Sequence, residues 1–265
     1  MELIAPRIFC VGTHHKTGTI WMRSVFRALA QAIGVADHIV FPASGLKFVP
    51  PSDRVFLFQW TSRFPQAVLD RPDARVLHVI RDPRDVLLSG MRYHLTSDHA
   101  EEAFLHEARD DLGGQSYQQH LAQLPDDTAR LMFEMQGKHA ETLADMLAWD
   151  YARPNGIEAR YEDLMADTDC RGFREHLRNL GLTEPEVERG MALFWQMSLF
   201  GGQAKGTRAK ARMASHVSHG GVAQWRDLLP RAVAEAYAET HGAALVQLGY
   251  EDHPTNWLNE VRHAA

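Results

Sequence analysis

Hydrophobic and polar positions follow two rhythms along this chain. Some short runs are apolar at nearly every position. RIFCVG (7–12), RVFLFQW (54–60) and ARVLHVI (74–80) are such runs, and they predict strands buried on both faces. Elsewhere the apolar residues recur every three or four positions. Met22, Val25, Phe26, Leu29 and Ile33 predict a helix of about four turns. A second helix opens at RDPRDVLLSGMRYHL, with Asp82 at the N-cap, Pro83 at the first helical position and Asp85 in the first turn.

Further along, NGIEARYEDL (155–164) predicts a turn, a short strand and a helix start, and the helix continues through REHLRNLGL to Gly181. A last helix over about 230–247 places Ala232, Ala236, Leu245 and Leu248 on its inner face. ASGLKFVPPSD is turn-rich and irregular. Residues 98–150 are polar and helical in character, broken at DLGGQS and QLPDD. LFGGQAKGTRAKARMASHVSHGG (199–221), rich in Gly, Ala, Ser and basic residues, reads as a mobile loop. No internal repeat is present. Strands alternating with helices predict an α/β fold: βαβ units around a mostly parallel sheet covered on both faces. In such sheets ligands gather beyond the carboxyl ends of the strands.

Composition narrows the classes. The 265 residues are 45% hydrophobic and 23% charged, ordinary for a soluble globular protein. A net charge of −6 argues against sequence-blind nucleic-acid binding, so any anion site must be a local basic pocket. The two cysteines, Cys10 and Cys170, make no disulfide framework and fit a reducing compartment. No run of about 18 apolar residues suggests a membrane span, and MELIAPRIFCVG lacks the pattern of a signal peptide. A cytoplasmic location is expected.

The first strand is followed by THHKTGT and then a helix. A helix N-terminus suits phosphate through its unpaired N–H groups and dipole. Gly18 lets the backbone approach an anion, Thr17 and Thr19 carry hydroxyl donors, and Lys16 supplies a point charge. The order is not G-K-[ST], because Lys16 precedes Gly18 by two residues. Alternatively, Thr17 is simply an N-cap and Lys16 a surface residue.

The segment resembles the 5′-phosphosulfate loop of sulfotransferases that use 3′-phosphoadenosine 5′-phosphosulfate (PAPS), P-K-[ST]-G-[ST]-[TS]-W. Lys16, Thr17, Gly18, Thr19 and Trp21 match, whereas His15 stands in place of proline and Ile20 in place of Thr or Ser. The resemblance implies that Lys16 binds the bridging oxygen and stabilises the leaving 5′-phosphate, and that Trp21 packs on adenine. VIRDPRDVLLSG (79–90) resembles the family's R-[ND]-P-x-D-x-x-x-S, implying that Arg81 and Ser89 hold the 3′-phosphate. Tyr161, in ARYEDLMAD, matches a tyrosine that contacts adenine. HVSHGGVAQWRDLLP (216–230) resembles R-x-G-x-x-G-x-W: Gly220 and Trp225 match, but Ser218 replaces the arginine and Ala223 the second glycine. Lys205, Arg208, Lys210, Arg212 and His219 are nearby groups that can compensate.

The resemblance spans about residues 7–230. It implies a P-loop-NTPase-like three-layer α/β/α fold as a single domain, 1–265, with 98–150 as a helical acceptor-side insertion. It also implies transfer of a sulfuryl group from PAPS to a hydroxyl or amine, leaving adenosine 3′,5′-bisphosphate (PAP), with a small-molecule or glycan acceptor and no metal. A homodimer is left open.

Many members carry a catalytic histidine at the end of the second strand, where this chain has Gln59 and Trp60. The candidate bases are His15 first, then His14, His94 and His99. The pair His14–His15 has no partner at metal-ligand spacing. Phe104, Leu112, Tyr117, Met132, Phe133 and Met135 either line an apolar entrance or pack helices together, and helix packing is favoured. Two rivals stand: a nucleotide or small-molecule kinase, which would want G-K-[ST] and acids for Mg²⁺, and a non-catalytic binder of bisphosphate nucleotides.

Overall fold

The computed structural model describes residues 5–99, 102–202 and 221–262. These fall into two compact units, Met1–Arg81 with Ala148–Met213, and Asp82–Leu147 with Ala214–Ala265.

The first unit is built on five strands. β1 (Ile8–Gly12), β2 (Ala36–Ile39), β3 (Val55–Gln59), β4 (Ala74–Ile80) and β5 (Gly156–Arg160) pair in the order β2-β3-β1-β4-β5. Every pairing is parallel, as expected for strands apolar on both faces. Phe9 and Val11 of β1 enter one core with Phe56, Phe58, Leu77 and Val79. Ile8 and Cys10, pointing the other way, enter a second with Val55, Leu57, Ala74 and Val76.

α1 (Thr19–Ile33), α7 (Tyr161–Ala166), α8 (Arg171–Asn179) and α9 (Glu184–Met197) supply Met22, Val25, Leu164, Phe173 and Phe194 to the first core. α2 (Gln66–Leu69) serves the second core. The result is a parallel sheet flanked by helices, the P-loop-NTPase-like α/β fold. Cys10 and Cys170 are buried free thiols. Among the described residues no helix is long and apolar enough to cross a membrane.

The second unit is helical: α3 (Pro83–Thr96), α4 (Tyr117–Gln123), α5 (Asp127–Gln136), α6 (Lys138–Leu147), α10 (Trp225–Leu228) and α11 (Arg231–Gln247). Its core holds Leu87, Met91, Leu131, Trp225, Tyr237 and Trp257. Phe104, Tyr117, Met132, Phe133 and Met135 also pack in this core, which is the helix-packing role. Leu112 is half-buried.

Three details depart from the sequence pattern. ADHI forms the edge strand β2, which its mixed polarity does not announce. The helix expected to start within NGIEARYEDL and continue to Gly181 is two helices. Asp167 interrupts it, its carboxylate accepting from the N–H groups of Gly172 (3.0 Å) and Phe173 (2.8 Å). In α11 the buried face is Val233, Ala234, Tyr237, Ala238 and Leu245, and Ala232 is exposed, because the larger side chains Val233 and Tyr237 take the inside.

Candidate active site

The loop between β1 and α1 lies at the carboxyl end of the central strand, and its own atoms hold it closed. Thr17 is fully buried. Its hydroxyl accepts from His14 N (2.8 Å) and lies 3.0 Å from the His14 carbonyl and 3.2 Å from that of Val79. The Thr19 hydroxyl donates to the His14 carbonyl at 2.8 Å and meets the Thr13 hydroxyl at 3.0 Å. Both threonine hydroxyls therefore brace the loop from within. Thr17 is not the N-cap of α1 either. That position is Gly18, left-handed at φ 94°, and no side chain caps the helix there. An α-helix start without a side-chain cap presents N–H groups and a positive dipole end to whatever lies before it.

Gly18 has two reasons to be glycine. Its φ is positive, and a Cβ there would lie 3.1 Å from Cδ2 of Tyr161. Lys16 is also left-handed, at φ 63°, an uncommon conformation for a residue with a Cβ and one that clusters at functional sites. Its carbonyl is turned to Arg81, whose Nη1 donates to it at 3.2 Å. The Arg81 guanidinium lies 4.5 Å from the centre of the Tyr161 ring, a cation–π contact. Tyr161 in turn meets Trp21 edge-on at 6.4 Å, and Trp21 stacks on Phe194 at 4.8 Å. The Trp21 indole Nε1 is buried without a hydrogen-bond partner among the described residues. Lys16, Gly18, Trp21, Arg81 and Tyr161, named from separate motifs, thus form one connected group in the first unit.

Ser89 is buried in the second turn of α3, within the second unit. In that unit the Asp85 carboxylate accepts from the backbone N–H of Trp225 at 3.0 Å. Arg84, paired with Asp82 (2.8 Å) and Glu251 (2.6 Å), lies 3.7 Å over the Trp225 ring. The motif tryptophan is therefore a core anchor. His219 and Gly220 lie outside the described residues, as do Lys205, Arg208, Lys210, Arg212 and Ser218.

The candidate bases separate by environment. His15 is half-buried beside Lys16. His94 is fully buried, its Nδ1 2.8 Å from Glu134, which also accepts from the Tyr117 hydroxyl, a structural network. His99 stacks near Tyr93 at 6.3 Å. At the end of β3, Gln59 turns its side-chain carbonyl to Thr61, accepting from N (2.6 Å) and Oγ1 (2.9 Å). Trp60 meets Phe41 edge-on. Thr13, Thr19, Arg23, Phe58, Gln59 and Trp60 border a small cavity there.

The sequence pattern did not point to His78 and Glu158. His78 is fully buried on β4. Its Nε2 lies 2.8 Å from Nε2 of His14, and its Nδ1 2.6 Å from Glu158 of β5. The available signal was a histidine inside the apolar run ARVLHVI.

A family model described as "Sulfotransferase domain" matches residues 6–249, nearly the whole chain. The chain belongs to the sulfotransferase family. Its reaction is accordingly sulfuryl transfer from PAPS. Among solved structures, it is similar in fold to mouse sulfotransferase SULT7A1 complexed with PAP, at 16% identity and a TM-score of 0.57, covering 96% of this chain and 87% of that one. It is also similar to retinol dehydratase in complex with androsterone and inactive cofactor PAP, at 15% identity and a TM-score of 0.53, covering 91% and 81%. A second structure of that protein, with retinol and PAP, gives the same identity and TM-score. No curated protein sequence matches the chain.

Proposed function

We propose that this sulfotransferase binds PAPS across the loop of β1 and moves its sulfuryl group to the hydroxyl or amine of a small-molecule acceptor. Lys16 neutralises the charge that develops on the departing 5′-phosphate, beside the start of α1. Thr17 and Thr19 act on the nucleotide through the loop they shape. Arg81 and Ser89 take the 3′-phosphate, with His219 and Gly220 as a further contact. Trp21 and Tyr161 receive adenine, and the buried Trp21 Nε1–H without a partner among the described residues supports a ligand acceptor at that place. His15 is the half-buried titratable group next to Lys16.

The observation that carries this reading is the Arg81 contact with both Lys16 and Tyr161. It ties the two phosphate-binding motifs and the adenine motif together within one unit.

The acceptor-side role of 98–150 within a single domain, a cytoplasmic location and a homodimer belong to the same proposal. A glycan is the alternative acceptor. Retinol dehydratase, whose structures hold androsterone or retinol, makes small apolar alcohols the first acceptors to assay.

A thermal-shift comparison tests the nucleotide assignment, because a ligand that binds only the native state raises apparent stability. PAP is expected to raise Tm far more than ATP with Mg²⁺. Stabilisation by ATP with Mg²⁺ alone would favour a kinase. Stabilisation by PAP with no transfer to any acceptor would favour a non-catalytic nucleotide binder.

A further inference from the structure

The end of β3, where many members of the family carry a histidine, has Gln59 in this chain. Gln59 is the last residue of β3 and pairs in register with Gly12, the last of β1. The Thr13 N–H donates to its main-chain carbonyl at 3.0 Å. The residue is therefore held beside the loop that contains Lys16. Its side chain is oriented by Thr61, whose backbone N–H (2.6 Å) and hydroxyl (2.9 Å) both meet Oε1. A backbone N–H only donates, so the atom facing it is the carbonyl oxygen, and the amide nitrogen is turned away from Thr61.

Gln59 Nε2 has two N–H groups and no hydrogen-bond partner among the described residues. It is not sealed in, as the partnerless Trp21 Nε1 is. Gln59 is only 4% exposed, and the space beside it is the cavity it shares with Thr13, Thr19, Arg23 and Trp60. That cavity is partly open and has room for about one water-sized group. Arg23 follows Thr19 by one turn on the same face of α1. It has no ion pair among the described residues, whereas Arg27, a turn further on, is held by Asp37 at 3.0 Å. Trp60 meets the exposed ring of Phe41 edge-on at 5.6 Å, so an apolar carbon skeleton has aromatic surface to lie against.

Resting on the sulfotransferase reading of the Lys16 loop, we propose that Gln59 selects the acceptor: its Nε2–H groups hold the attacking atom in this cavity, and that atom is a hydroxyl oxygen, not an amine nitrogen. The reason is a count of lone pairs. An alcohol oxygen has two. One accepts from Gln59 and the other stays available to sulfur. A neutral amine has one, and accepting from Gln59 leaves none for attack. An ammonium has none, and the Arg23 guanidinium, charged at any working pH, repels it. A carboxamide takes no proton at pH 7, so Gln59 is a specificity-determining residue and not a base. The overall reaction is unchanged: the alcohol and PAPS give the sulfate ester, PAP and one proton.

Matched acceptors and a crystal structure of the full chain with PAP test this. Wild type is first titrated with PAP, and failure to bind removes the reading of the loop and this inference with it. The crystal is expected to show an ordered water accepting from Gln59 Nε2 at about 2.9 Å, in the place of the acceptor oxygen. A protein oxygen on Nε2, or no water there, overturns the assignment. Turnover of PAPS is then compared for benzyl alcohol against benzylamine, and for phenol against aniline, which is uncharged at pH 7. Each hydroxyl compound is expected to exceed its amine about 100-fold or more in kcat/KM, because a site built to bond a substrate hydroxyl rejects its analogues strongly. Gln59→Glu keeps oxygens for Thr61 but has no donor, and Gln59→Met has neither. Both are expected to bind PAP within about twofold of wild type and to narrow the alcohol-to-amine ratio about tenfold, the worth of one hydrogen bond. Arg23→Gln is expected to narrow it for benzylamine only. Amines turned over by wild type as well as alcohols, or a ratio unchanged in both Gln59 variants, overturns the proposal. If neither member of either pair is sulfated, the partner of Nε2 in the crystal decides it.

Discussion

The Arg81 guanidinium donates to the main-chain carbonyl of Lys16 at 3.2 Å while its central carbon lies 4.5 Å from the centre of the Tyr161 ring. One side chain therefore fixes the position of the loop and presents charge at the end of β4. Arg81→Ala is expected to weaken PAP binding by about 10–100-fold, the range for a lost hydrogen bond to a charged group. Arg81→Lys is expected to recover little, because an ammonium does not supply the planar fork of donors. Calorimetric titration with PAP checks both. Unchanged affinity in Arg81→Ala dismisses the 3′-phosphate assignment.

Lys16→Ala keeps a Cβ at a left-handed position and so alters the backbone little. It is expected to lower kcat by about 100–1,000-fold, as for removal of one group aimed at developing charge, with an unchanged melting temperature. Turnover near that of wild type would exclude Lys16 from stabilising the leaving phosphate.

Gly18→Ala adds two costs at one atom. The φ of 94° penalises any Cβ by about 1–2 kcal/mol, and the new methyl meets Tyr161 at 3.1 Å. A lower Tm and weaker PAP binding are expected together. The double variant Gly18→Ala/Tyr161→Ala separates them, since it relieves the contact but not the backbone cost.

Much of the site was legible because its chemistry is local in sequence. Lys16, Thr17 and Gly18 form one run, and Arg81 follows a strand whose apolar pattern is unmistakable. The roles of Thr17 and Thr19 were not legible. A threonine in a phosphate loop can aim its hydroxyl out or in, and only the backbone path of residues 13–19 decides. His78 was hidden for another reason. Its partners His14 and Glu158 are 64 and 80 residues away, and only strand order brings them together. The edge strand β2, half polar, carried no period-2 pattern, and the break at Asp167 depended on a cap rather than on hydrophobicity.

Stability should also depend on pH through the second unit. His139 is buried, its Nε2 2.9 Å from the Tyr237 hydroxyl, and burial, with His241 second, pushes its pKa down to about 3. An unfolded histidine takes its proton near pH 6.5. Between about pH 6.5 and 3 the unfolded chain therefore binds more protons, and stability falls as pH is lowered through that window, by up to about 1.4 kcal/mol per unit for this group. His139→Gln keeps an acceptor for Tyr237 and is expected to flatten the dependence of urea midpoints on pH between 6.5 and 4. An unaltered slope would show that other groups dominate.

Because β1 is the middle strand, its loop acquires neighbours only as later sequence arrives: β3 after some forty residues, Arg81 after sixty-five, Tyr161 after nearly one hundred and fifty. During synthesis the lysine emerges long before the rest of the binding surface. Nucleotide can thus clamp the finished sheet but cannot template its early assembly.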